Sequence, residues 1–152
     1  METQVNPIPQ GYHSLTPYLV VKDTNEALEF YKKAFKAKEN FRTIAPNGEI
    51  GHCEMQIGNS RFMFSGHFGD MDETTPTPSS SLLIYVEEVD EFFAQAVKAG
   101  AEEVRPVEDQ FYGDRMGTLK DPNGHIWHIA THIEDVSERE MQKRADERWS
   151  MV

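Results

Sequence analysis

Apolar residues recur along this chain with two spacings. Alternation of apolar or β-branched residues with polar ones marks strands at 15–21, 39–45, 50–57, 61–65, 82–86, 103–107, 115–120 and 125–131. Two other segments have the helical spacing. Ala27, Phe30, Tyr31, Ala34 and Phe35 form one buried stripe, and Val89, Phe92, Phe93, Ala96 and Val97 form another. Punctuation agrees with these boundaries. Asp23, with Glu26 three residues on, caps the first helix, and Gly100 closes the second. Pro17 places the first strand at a sheet edge or a strand start. Pro46-Asn47-Gly48 and Gly58-Asn59 separate the strands of a three-strand meander. Ser137 to Glu140 is a capping box for a third, charged helix, whose Met141, Ala145 and Trp149 make a narrow stripe suited to docking on the body or on a second subunit.

The two apolar stripes superpose. A shift of 62 residues carries Ala27 onto Val89 and Phe35 onto Val97, and a shift of 65 carries Leu19 onto Ile84 and Thr16 onto Ser81. Each half therefore reads as strand, helix, then three strands. A single βαβββ unit cannot bury its own sheet, and two can bury each other's. The expectation is an α+β fold of two paired βαβββ modules, with helices outside and a cleft along a pseudo-twofold axis. The predicted layout is an N-terminal arm at 1–13, a first module at 14–66, a Pro- and Ser-containing linker or lid at 67–80, a second module at 81–133 and the charged helix at 134–152.

Composition narrows the partners. The net charge of -11 argues against nucleic acid and against an acidic membrane surface, both of which need a basic face. No apolar run approaches the roughly 18 residues of a membrane span, and the N-terminus has no apolar core of a secretion signal. The single cysteine, Cys53, rules out an internal disulfide framework and fits a reducing compartment, so a cytoplasmic protein is expected. Nothing near Cys53 activates it.

Candidate chemistry gathers around the stretch 110–132, QFYGDRMGTLKDPNGHIWHIATH. Asp121-Pro122-Asn123-Gly124 is a turn, with Asn-Gly supplying the φ > 0 positions of a tight hairpin. His128 lies at the centre of the return strand. It is either a ligand-contacting or acid/base histidine, or a hydrogen-bonded histidine of the interior. Trp127 points to the opposite face, toward helix-side core. In the loop before the hairpin, Tyr112 is a candidate to stack on a planar ligand and Arg115 to grip a carboxylate; the structural alternative is an Asp114–Arg115 contact closing the loop. His52 and Glu54 share a strand face two residues apart, as a polar face or as a shifted metal site together with His128. Phe62 reads as core.

The repeat and the segment GDRMGTLKDPNGHIWHIATH, together with IPQGYHSLTPYLVVKD near the N-terminus, resemble the vicinal oxygen chelate superfamily. This is the group of glyoxalase I, bleomycin-resistance proteins and extradiol dioxygenases, and the chain looks most like its PhnB-like branch. The resemblance covers about residues 8–133. It implies paired βαβββ modules and a central cleft. In the superfamily's metalloenzymes, strand positions of both halves supply His or Glu ligands to a metal; here those positions fall on Thr16, Phe64, Ser81 and His128. Only His128 is a credible ligand, and Thr and Ser hydroxyls are poor ones. Phe64 in that place makes the cleft apolar, as an organic-molecule pocket prefers.

The expected function is therefore binding of a small, partly apolar or aromatic organic molecule against Thr16, Phe64, Ser81, Tyr112, Arg115 and His128, without a metal and in a homodimer. The alternative is a lyase, isomerase or dioxygenase using one divalent metal ion, held by His128 with ligands such as His52 and Glu54.

Overall fold

A computed structural model describes residues 8, 10–13, 15–66 and 80–149, so residues 67–79 of the expected linker or lid and most of the expected arm lie outside the described residues. The chain divides into two units, Met1–Pro76 and Thr77–Val152. In the first unit the order is β1 (Tyr18–Val20), α1 (Thr24–Phe35), β2 (Lys38–Ile44), β3 (Ile50–Ile57) and β4 (Ser60–Ser65). In the second it is β5 (Leu82–Tyr85), α2 (Val89–Lys98), β6 (Glu102–Asp109), β7 (Asp114–Lys120) and β8 (Ile126–His132), followed by α3 (Glu138–Trp149). The fold is α+β, and the βαβββ repeat is present in both units.

Both sheets have the same wiring. The first has the strand order β1-β4-β3-β2 and the second β5-β8-β7-β6. In each, the opening strand runs parallel to the last strand, and the three meander strands are antiparallel. The helix is the crossover that parallel pairing requires.

The helix caps follow the sequence. The Asp23 carboxylate accepts a hydrogen bond from the Glu26 amide at 3.0 Å, and the Ser137 hydroxyl accepts one from the Glu140 amide at 3.2 Å. Gly100, at φ 121°, follows the end of α2 in a backbone region closed to most side chains. At the first helix, Lys36 takes the left-handed position instead, at φ 55°.

The core of each unit lies between its helix and one sheet face. Ala27, Phe30, Tyr31, Ala34 and Phe35 are all buried, and Tyr31 meets Phe62 edge-on at 5.3 Å and Phe64 at 5.8 Å. The second stripe is narrower than its spacing predicts. Val89, Phe93 and Ala96 are buried, whereas Phe92 is half-buried and Val97 is exposed. Gly117 is the reason Phe93 fits: a Cβ there would sit 2.5 Å from the Phe93 ring.

The hairpin turn differs from the two-residue type. Gly124 has φ 92°, but Asn123 has no positive φ. The loop closes through the Gly124 amide to the Asp121 carbonyl at 3.0 Å and the Asp121 amide to the His125 carbonyl at 2.9 Å. The buried Asp121 carboxylate organises it, accepting from the amides of Asn123 and His125 and from the Trp127 indole N–H at 2.9 Å. Asp121 competes with the backbone for local N–H groups, which makes the wider loop favourable without a second left-handed residue.

Candidate functional site

The sheet face opposite α2 is where chemistry concentrates in the second unit. Directly opposed residues share a face, and the register sets Thr118 against His128, His128 against Leu83 and Arg105 against Thr118. Trp127 and Ile129, which flank His128, are buried on the helix side, as alternation requires.

His128 is tied at both ring nitrogens. Nδ1 lies 2.9 Å from Thr118 Oγ1 and Nε2 lies 3.1 Å from Ser81 Oγ. Thr118 is buried, and among the described residues His128 is the one hydrogen-bond partner of its hydroxyl. A buried O–H left without an acceptor costs about 1–3 kcal/mol, so Thr118 donates to Nδ1. The ring proton then sits on Nε2 and is donated to Ser81, whose own O–H is left free to donate elsewhere. Burial, and next the nearby Arg105 guanidinium, hold the imidazole below its ordinary pKa and keep it neutral.

Of the residues singled out in the sequence, the structure brings Ser81 and His128 together. Tyr112 is half-buried in the loop before β7, its ring edge-on to Phe111 at 5.2 Å and its hydroxyl 3.6 Å from Met116 Sδ, which is on the same sheet face as His128. Thr16 is half-buried two residues ahead of β1.

Two assignments are corrected. Phe64 does not point to the side that corresponds to His128. It is fully buried against Tyr31, on the helix side of its sheet. The pairing explains why: Tyr18 opposes Met63 in the first sheet as Leu83 opposes His128 in the second, and both members shift by 65 residues. Met63 is thus the counterpart of His128, and the earlier placement was one residue out of register, which reverses the face. Arg115 is also not available as a carboxylate grip. Its guanidinium makes bonds of 2.9 Å to both oxygens of Asp90, at the start of α2, and to Asp109, at the end of β6. The expected Asp114–Arg115 contact is replaced by this fork, and Asp114 instead accepts from the Tyr85 hydroxyl at 2.9 Å and pairs with His132 Nδ1 at 2.8 Å.

In the first unit the equivalent sheet face carries a polar chain. Tyr18 OH and His52 Nδ1 are 3.1 Å apart, His52 Nε2 lies 3.6 Å from Glu54, Glu54 accepts from the Tyr12 hydroxyl, and Arg61 lies over the Tyr12 ring at 5.0 Å. His52 and Glu54 do share a face, but each is already engaged by a tyrosine. Among the described residues no three His, Cys, Asp or Glu groups gather as metal ligands. At the four positions that the superfamily resemblance points to, the corrected donor set is two hydroxyls, one thioether and one imidazole with both nitrogens already hydrogen-bonded. Hard hydroxyls and a soft thioether do not make a common divalent site, so these residues do not fit the metal. Cys53 is fully buried, and burial pushes its thiol up to about 11, which leaves it unreactive.

Sequence reasoning missed Arg105, Leu83 and Tyr85. Arg105 had a visible signal: it is the one cation on a strand, EEVRPVED, that carries four acids. Among the described residues no helix is long and apolar enough to cross a membrane.

Comparison with known proteins covers the same stretch of chain. Residues 11–129 match the profile of the glyoxalase/bleomycin resistance protein/dioxygenase superfamily. An uncharacterized protein of Mycobacterium bovis is 35% identical over 136 residues, covering 85% of this chain and 90% of that protein. Among solved structures, TioX from Micromonospora sp. ML1 aligns with TM-score 0.63 at 23% identity over 82% of this chain and 100% of its own. A glyoxalase/bleomycin resistance protein/dioxygenase family enzyme from Burkholderia phytofirmans PsJN aligns with TM-score 0.65 at 20% identity, over 76% and 95% of the two chains. A mutant of the fosfomycin resistance protein FosX from Listeria monocytogenes aligns with TM-score 0.61 at 18% identity, over 86% and 94%. The shared fold, the twice-repeated βαβββ wiring and the matched span together establish that the chain belongs to the glyoxalase/bleomycin resistance protein/dioxygenase superfamily.

Proposed function

We propose that this chain binds a small, partly apolar or aromatic organic molecule on the sheet face that carries Ser81, Thr118 and His128, and does so without a divalent metal. The observation that carries this reading is the Thr118–His128–Ser81 line. Both imidazole nitrogens are committed to hydroxyls, at 2.9 and 3.1 Å, so the one ligand-type side chain left from the metalloenzyme pattern is occupied. Leu83 and Tyr85 stand 44% and 62% exposed on the same face, next to Tyr112 on Met116. A few directed polar groups beside exposed apolar and aromatic side chains is the make-up of an organic-molecule site.

The FosX mutant among the structural neighbours is complexed with Mn(II) and a dihydroxypropylphosphonic acid. At 18% identity that supports the fold here, and the donor set in this chain does not support the same ion. Within the superfamily, the joining of the Gly-Asp-Arg and Ala-Thr-His segments through Asp114 and His132 supports a place in the PhnB-like branch. A cytoplasmic homodimer completes the reading, and light scattering of the purified protein tests the dimer.

Thermal shift of the full chain with a panel of aromatic and peptide antibiotics, with elemental analysis of the same sample, tests the function. Stabilisation by one or more compounds with no stoichiometric metal is the expected result. A stoichiometric zinc, nickel, iron or manganese that disappears in His128→Ala overturns it, as does the absence of a shift with every compound.

A further inference from the structure

Among the described residues Arg105 has no ion-pair partner to explain its place. It stands exposed on β6, directly across from Thr118, and its charge is felt at His128. Two other arginines near this sheet are spoken for: Arg115 is forked onto Asp90 and Asp109, and Arg144 holds Glu134, Glu140 and the Phe111 carbonyl. Among the described residues Arg105 has no ion pair, although Glu102, Glu103, Glu108 and Asp109 share its strand. In a chain of net charge -11, a guanidinium left unpaired amid acids points to a group that is supplied from outside.

The rest of the face has matching polarity. In the Thr118–His128–Ser81 line each group donates to the next, and it ends on the Ser81 hydroxyl, which has its own O–H to donate. A guanidinium and a hydroxyl donor on one face call for an acceptor that carries negative charge. Arg binds a carboxylate through two parallel N–H···O bonds, which a neutral amide cannot reproduce. Leu83, paired with His128 across the strands, and Tyr85 give the apolar body of the ligand a place to lie.

We propose that Arg105 is the anion-anchoring residue of this site and that the ligand is a small organic carboxylate with an apolar or aromatic body, its carboxylate held by Arg105 and Ser81. This rests on the ligand-binding reading above and adds the charge of the ligand to it. The protein's overall negative charge repels anions at long range, so Arg105 acts by short-range geometry rather than by steering. Binding is therefore expected to depend on Arg105 itself more than on total charge.

The test is a titration of the full chain, by calorimetry and by amide chemical shifts, with benzoate, cinnamate and indoleacetate, each beside its uncharged primary amide. The variants are Arg105→Gln and, as control, Arg115→Gln. The expected result is that at least one acid binds about tenfold or more tightly than its amide, with shifts at Leu83, Thr118 and His128. Arg105→Gln removes that preference at unchanged melting temperature, since Arg105 is exposed and has no ion pair among the described residues, and Arg115→Gln keeps it. Acids and amides binding alike, or a preference that survives Arg105→Gln, overturns the inference and leaves the organic-ligand reading standing. If no acid and no amide binds, both fall.

Discussion

Asp114 and His132 face each other across β7 and β8, with the carboxylate 2.8 Å from Nδ1. Asp114 is buried, and its other oxygen accepts from Tyr85. The far side of the same imidazole meets Asp135 at 2.8 Å, in the segment that leads to α3. Two sequence segments that look unrelated, Gly-Asp-Arg and Ala-Thr-His, are thus halves of one contact.

That contact sets a pH dependence. The hydrogen bond to Asp114 first, then the one to Asp135, raises the His132 pKa above 6.5. Stabilisation from the charged ring is fully present below pH 6.5 and is lost as pH rises through the raised value. Proton NMR of the His132 ring is expected to give a midpoint above that of a free histidine, and Asp114→Asn to bring it down.

His128 is expected to titrate in the other direction. Burial first and Arg105 second hold its pKa below 6.5. Its stabilising effect, as a neutral ring, is present above pH 6.5 and is lost as pH falls through the lowered value. In the same spectra its midpoint lies below that of His132, and Arg105→Gln moves it upward. An unchanged midpoint in that variant would separate Arg105 from His128.

Asp121→Ala removes the acceptor of three N–H groups at once, one of them the buried Trp127 indole. Each buried donor left unsatisfied costs about 1–3 kcal/mol, and water reaches the two turn amides, so a loss of about 2–4 kcal/mol is expected in urea unfolding. Trp127 fluorescence should report the change in the folded state as well.

Gly117→Ala tests the packing of α2 on its sheet. The new methyl would lie 2.5 and 2.8 Å from two atoms of the Phe93 ring and 2.9 Å from Val107 Cγ2. Ring and strand must both move, at a cost of about 1–3 kcal/mol. The double variant Gly117→Ala with Phe93→Leu is expected to recover part of that loss, because the clash is with the ring.

Local pattern carried most of the fold. The stripe from Ala27 to Phe35, the Asp23 and Ser137 caps, Gly100 after α2 and the repeat of one half on the other all depend on neighbours a few residues apart, so the order of residues alone determines them. Ser81 was legible because the repeat offset from Thr16 and the resemblance name the same place, and His128 because it lies at the centre of the strand that leaves the hairpin. The errors lie where distant segments decide. Phe64 and Met63 are adjacent in sequence and equally apolar; which one shares the face equivalent to His128 depends on the pairing of β4 with β1, across more than forty residues of chain.

The two arginines make the same point for charge. Arg115 sits in the hairpin motif and looks free, yet Asp90 from α2 and Asp109 from β6 neutralise it. Arg105 looks like one more charge on an acidic strand, yet the register sets it opposite Thr118, and among the described residues it has no ion pair. Residue types and spacings determined that this protein would be two βαβββ repeats with a histidine on the last strand. Only the tertiary structure decided which cation that histidine faces, because an ion pair is a matter of distance in space and strand register assigns the distances.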